Sequence, residues 1–327
     1  MVVADRLLVQ LLRLVDAIPE PPPPSSRGRG RPLVYPDRLF VKVLVLMILR
    51  RLHRVHEVFA VLSQQSAEIL EIRALLFPGG QMPSRRTFER RLKRLPDRLP
   101  AQICSLGRHL LQLYQPWEHS GRAVAVDSTP LRAQGAPWHK DDRAAGRVPN
   151  TSIDTDAHWT KSGWHGWLYG YKLHLVTAVA SVWIPLAARL RPANEADNVL
   201  AAEILLDLPP DPRFVLGDSQ YNTDELHRLC AEQGRILIAS HRGKHPRTDA
   251  GKDVRRIFHA LRGIAMENFN SLYKAIYDAR RPVPTRGLIN TQRFALGAVL
   301  VYQLALLHRY HCGELHQHGI KAMLRAA

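Results

Sequence analysis

Three carboxylates in this chain have neighbours that suit chemistry at phosphorus. Asp127 lies inside an apolar run, with Val124 and Val126 before it and Ser128 and Thr129 after it. Asp218 closes a second run, Phe214-Val215-Leu216, and is followed by Ser219-Gln220-Tyr221. Glu267 sits in a long stretch of helical periodicity. A carboxylate in the middle of a strand is expensive to bury unless it is paired or bound to metal. Taken singly, each acid has a plainer reading: Asp127 in a turn, Asp218 capping the next helix, Glu267 in a surface pair. Taken together they fit two Mg²⁺ ions about 3.5–4 Å apart, the arrangement for in-line displacement at phosphorus. One ion activates water or a 3′-hydroxyl and the other stabilises the leaving oxygen, and carboxylate oxygens suit Mg²⁺.

The elements that must position these acids can be read from the pattern. RAVAVDSTPLRA reads as a strand, and LYGYKLHLVTAVASVWIPLAARLRPA as two more joined near residues 180–183. A helix over 197–208, the strand RFVLGDSQYN, a helix over 223–233 and the strand RILIAS follow. A long helix then covers about 254–279. Three strands, helix, strand, helix, strand, helix is the element order of an RNase H-like fold, a mixed five-stranded sheet with helices on both faces. In such a sheet the first and fourth strands are neighbours, so Asp127 and Asp218 are expected to meet. On a helical wheel Arg256, His259, Gly263, Glu267, Asn270 and Lys274 share one polar stripe, with Ile257, Leu261, Ile264, Leu272 and Ile276 roughly opposite. Glu267 then faces the cleft, and Lys274, two turns on, can reach a phosphate.

Residues 1–100 read as an all-helical region and 121–311 as the catalytic domain, with a tail over 312–327. A Pro- and Arg-rich linker occupies about 19–32, where Arg27, Arg29 and Arg31 suit phosphates or serve only as solvated charge. Ser84 is an N-cap, and Phe88, Leu92 and Leu95 form the apolar stripe of a short basic helix. That helix carries Arg85, Arg86, Arg90 and Arg91, and with the helices before it, over 56–95, it reads as helix-turn-helix-like. Lys and Arg number 46 against 29 Asp and Glu, leaving a net charge of +17. Self-repulsion of that size points to a polyanionic partner, nucleic acid first, with a ribosome-associated factor, a membrane surface or the Arg bias of a GC-rich genome as the alternatives. Arg242 and Lys244 form a basic loop before the Glu267 helix, and Arg280 and Arg281 another after it. Three scattered cysteines argue against zinc ribbons and disulfides and fit a reducing cytoplasm. No apolar run reaches the ~18–20 residues needed to span a bilayer. Residues 294–311 read as a buried helix. The stretch from Trp138 to Trp167, rich in Trp, His and Asp, reads as a surface insertion anchored by tryptophans. A second metal site or a base-stacking loop is the alternative there.

The segments VAVDSTPLRA, GYKLHLVTA, RPANEADN, VLGDSQYN and ENFNSLYK resemble bacterial insertion-sequence transposases of the DDE type, from about 122 to 311. The resemblance implies an RNase H-like catalytic domain and two Mg²⁺ (or Mn²⁺) ions on Asp127, Asp218 and Glu267, with Lys274 beside them. It also implies recognition of terminal inverted repeats and target DNA in the nucleoid, cleavage and strand transfer, and a homodimer in the complex that pairs two ends. The family signature runs Tyr, two residues, Arg, three residues, Glu, six residues, Lys. Glu267 and Lys274 match it, but Gly263 and Ala260 stand at the Arg and Tyr positions. Arg262 is one place off and on the wheel points away from Glu267, which leaves Arg256 as the expected substitute. A nuclease of the same fold without strand transfer, and a DNA-binding relative with an inactive core, are the competing readings.

Overall fold

The computed structural model describes residues 7–19, 34–115, 122–162, 166–241 and 248–326. Arg27, Arg29, Arg31, Trp164, His165, Arg242 and Lys244 lie outside them. The chain opens with α1 (Leu7–Leu14), α2 (Asp37–Leu49), α3 (Val55–Leu62), α4 (Ala67–Leu76), α5 (Arg85–Arg94) and α6 (Leu99–Tyr114). Then come β1 (Ala123–Arg132), the short α7 (Lys140–Ala144), β2 (His158–Ser162), β3 (Gly166–Ala178), β4 (Pro185–Pro192), α8 (Asp197–Leu206), β5 (Phe214–Gly217), α9 (Asp224–Glu232) and β6 (Ile236–Ala239). α10 (Asp249–Arg262) runs through a π-helical turn, Gly263–Glu267, into α11 (Asn268–Ile276), followed by α12 (Leu288–His311) and α13 (Ile320–Ala326).

The sheet is mixed and six-stranded. β1 pairs antiparallel with β3 and parallel with β5, and β5 pairs parallel with β6. β3 carries β4 along Tyr171–Thr177 and β2 along Gly166–Gly170. The order β4–β3–β1–β5–β6, three antiparallel strands and then two parallel, is the RNase H-like arrangement. The five strands expected from the pattern are these. β2 adds a sixth, cut from the Trp-rich stretch.

β5 pairs with β1 only over Ala123–Ala125. Beyond that point β1 has no partner on this side among the described residues, so the sheet opens, which also makes Pro130 tolerable inside the strand. The opening lies at the C-terminal ends of the parallel strands, where α/β sheets present ligands.

Over residues 294–307 α12 is apolar nearly all round, and such a segment must be buried all round. It packs on α1, α2 and α6 and also on β4, and the helical region and the sheet share one hydrophobic core. Gln303 is fully buried, and its Nε2 donates to the carbonyls of Ile103 and Pro185, both at 2.8 Å, tying α12 to α6 and to the start of β4. Gly107 lets α6 come this close, because a Cβ there would sit 2.5 Å from the Pro185 carbonyl oxygen. Among the described residues no helix is long and apolar enough to cross a membrane.

Candidate active site

Asp127 and Asp218 meet through strand register. Ala125 pairs with Leu216, and each acid stands two residues further on, at the point where β1 and β5 part. Asp127 is one-fifth exposed, and its Oδ1 accepts the Ser128 N–H at 2.8 Å. Asp218 turns back on its own loop, accepting the Gln220 N–H at 2.7 Å. Capping of α9 falls instead to Thr223, whose hydroxyl accepts from Leu226 N, so Asp218 is spared that task. Burial is the main reason the Asp127 carboxyl is pushed up to about 7, with Asp218 and Asp197 adding like charge and Arg262 opposing them. A carboxyl pushed toward its neutral form chiefly by burial, with two more acids nearby, is short of positive charge.

Glu267 reaches the cleft from the π turn, and here the helical wheel needs correction. Ile257 and Ile264, expected to be buried, are 54% and 47% exposed, whereas Ala265, Met266, Phe269 and Asn270 face the core. α10 buries none of its residues, Ile257 included, and the π turn after it takes an extra residue per turn and shifts the phase of everything that follows. The same shift makes residues five apart into neighbours. The Arg262 guanidinium lies 3.2 Å from Glu267 Oε1 and 3.7 Å from Asp127 Oδ2. Arg262, set aside by the wheel, therefore joins the first and third acids. Allowing for one inserted residue, Arg262, Glu267 and Lys274 fall in the order of the signature, with His259 where it has Tyr. Arg256 is exposed and pairs with Asp253 at 3.1 Å.

The remaining cations divide by position. Lys274 is partly buried and close enough to Asp127 to feel its charge. Burial chiefly lowers its pKa, helped by Arg280 and Arg132. Arg132, at the end of β1, escaped the sequence reading because nothing in its surroundings there marks it. Arg280 also donates to the Ser271 hydroxyl at 3.2 Å, while Arg281 lines a separate hollow with Arg51 and His53. An apolar hollow of about 560 Å³ lies beside Asp218, lined by Ile238, Val254, Phe258, His259 and Arg262.

Behind the acids, Lys172 Nζ lies 2.9 Å from Asp197 Oδ1, with buried His174 alongside.

Among the described residues no three His, Cys, Asp or Glu side chains stand close enough to hold a metal ion. Asp127 and Asp218 nevertheless fit a hard divalent cation, being all-oxygen, adjacent and short of positive charge. Glu267 would complete the set only once Arg262 releases it. The aromatic stretch finds structural uses. Asp154 accepts from the Tyr171 hydroxyl and Gly287 N, and Asp156 accepts from Leu288 N, so both acids serve the start of α12. Trp159 packs against Trp167 and Tyr169.

On α5, Ser84 caps the helix as expected. Arg86 and Arg90 are exposed, and Arg85 pairs with Glu89 at 2.9 Å. Arg91 turns inward over the Phe40 ring and onto Asp37 and the Tyr35 carbonyl. Arg91→Ala is therefore expected to destabilise the fold by about 2–3 kcal/mol, read by urea unfolding. The double change of Arg86 and Arg90 to Ala should leave stability alone and flatten the salt dependence of DNA binding by about two phosphate contacts.

Residues 118–304 match the family described as the transposase DDE domain. The structure of the piggyBac transposase synaptic complex with hairpin DNA aligns with a TM-score of 0.42 at 12% identity, covering 98% of this chain and 76% of that one. The Mos1 transposase paired-end complex with left transposon end aligns with a TM-score of 0.23 at 13% identity, covering 88% and 80%. No curated protein sequence matches this chain at a significant level.

Proposed function

The chain belongs to the transposase DDE domain family, and on that premise we propose that it binds the terminal inverted repeats of a bacterial insertion sequence, nicks them, and joins the freed 3′-hydroxyl to target DNA. The observation that carries this reading is the register of Asp127 and Asp218 on neighbouring parallel strands, inside the matched segment. Mg²⁺ (or Mn²⁺), when bound, would supply activation of the attacking oxygen and stabilisation of the leaving one. Asp127 and Asp218 would hold the two ions, with Glu267 joining them.

The protein's own cations do the rest. Lys274, within reach of the Asp127 charge, and Arg132, near Lys274, suit the phosphates on either side of the reacting one. Arg262 is drawn to a DNA phosphate in competition with the acids it bridges, and its departure frees Glu267. Arg86 and Arg90 hold duplex away from the cleft. Pairing two element ends calls for two copies of the chain, a homodimer in the synaptic complex, working on nucleoid DNA.

Incubating the protein with Mg²⁺, labelled element-end DNA and a target plasmid should yield a nick at the end and a joined product. A nick without joining would reduce the protein to a nuclease, and no cut with either Mg²⁺ or Mn²⁺ would sink the proposal. Lys274→Ala should slow cleavage about 10- to 100-fold with end binding within about threefold. Equal losses of both would remove Lys274 from the reacting cleft.

A further inference from the structure

Tyr221 follows Asp218 by three residues and is turned under the acids, with 2% of its surface exposed. Its place is set by Gly217, where a Cβ would lie 2.8 Å from the Tyr221 Cβ. The turn after β5 can fold the ring inward only because that position is glycine. Burial, together with the charges of Asp127, Asp197 and Asp218, pushes the phenol well above its ordinary pKa, and Ser128 lies beside it.

Yet the Tyr221 hydroxyl makes no well-formed hydrogen bond among the described residues, although the Ser128 side chain is near enough to act on it as a weak partner. The groups around it are occupied elsewhere: Asp127 Oδ1 by Ser128 N, Asp218 Oδ1 by Gln220 N, Asp197 by Lys172. A buried donor without an acceptor weakens a fold, and phenylalanine would pack in the same place without that penalty. A polar atom kept at such a cost beside three carboxylates suggests a partner that arrives later. Ligating carboxylates are oriented by outer hydrogen bonds that decide which oxygen meets the ion.

We infer that Tyr221 is a positioning residue, whose hydroxyl donates to the Asp127 oxygen that faces away from a bound divalent ion and so fixes the oxygen presented to it. The inference rests on the proposed function of the same cleft.

Tyr221→Phe keeps the ring and its contact with Gly217, so the variant should fold with a Tm equal to or above that of the wild type. Free Mn²⁺ followed by electron paramagnetic resonance, in the complex of full-length protein with element-end DNA, should show affinity weakened about tenfold or more. The Mg²⁺ concentration for half-maximal cleavage should rise in step, and DNA affinity without metal should not change. Equal Mn²⁺ affinity in variant and wild type would overturn the role of Tyr221 and leave the site reading standing. Failure of the wild-type complex to bind Mn²⁺ at all would overturn both.

Discussion

Asp127→Asn and Asp218→Asn are each expected to reduce element-end cleavage by about 10³-fold or more while leaving end binding within a few-fold. The two differ in their effect on stability. The Asp127 carboxyl is raised from 3.8 to about 7 when folded, chiefly by burial. Between those values the folded chain holds a proton that the unfolded chain has released. Stability of the metal-free protein therefore falls as pH rises from about 4 to about 7, and levels off above. Asp127→Asn removes that slope and should stabilise the metal-free protein at pH 8 by on the order of 2–4 kcal/mol. A divalent ion should restore part of the same stability to the wild type alone. Urea unfolding at pH 5 and pH 8, with and without Mg²⁺, checks this. A wild type as stable at pH 8 as at pH 5 without metal would show that the carboxyl is not held in its neutral form.

Arg262→Ala should lower cleavage by about 10²–10³-fold, against a change of less than about threefold for Arg256→Ala. Arg262 is 12% exposed and stands between two acids of the site, whereas Arg256 is 79% exposed and its partner, Asp253, lies on the same helix. Single-turnover cleavage of a labelled end separates them. If Arg256→Ala were the crippled variant, the phase shift at the π turn would have been given the wrong role. Removing Arg262 also takes away a cation that opposes the like charges on Asp127, so the variant should bind Mn²⁺ more readily than wild type when DNA is absent.

The strands carrying Asp127 and Asp218 were legible from the chain alone, because an acid inside or closing a β-branched apolar run is a local anomaly that no neighbour dilutes. The element order around them was equally local, and it sufficed to place the two strands side by side. The Ser84 cap and the buried helix α12 are short-range signals too. The inserted residue of the π turn was not legible. A wheel assumes one residue per 100°, and the five residues Gly263–Glu267 break that assumption without any unusual composition. Arg262 was lost for that reason, and Arg256 was promoted in its place.

Arg91 was read as a phosphate contact because its neighbours are basic. Its burial under Phe40 depends on α2, some fifty residues earlier. Asp154 and Asp156 lie in a stretch read as a surface insertion, and the use they find, accepting N–H groups at the start of α12 more than 130 residues on, had no local signal. The sequence by itself determined which acids could do chemistry and on which strands they stand, since those features are set by side-chain periodicity within a single element. Tertiary structure alone decided which cations face those acids, because a long, flexible Arg or Lys takes its direction from whatever packs against it.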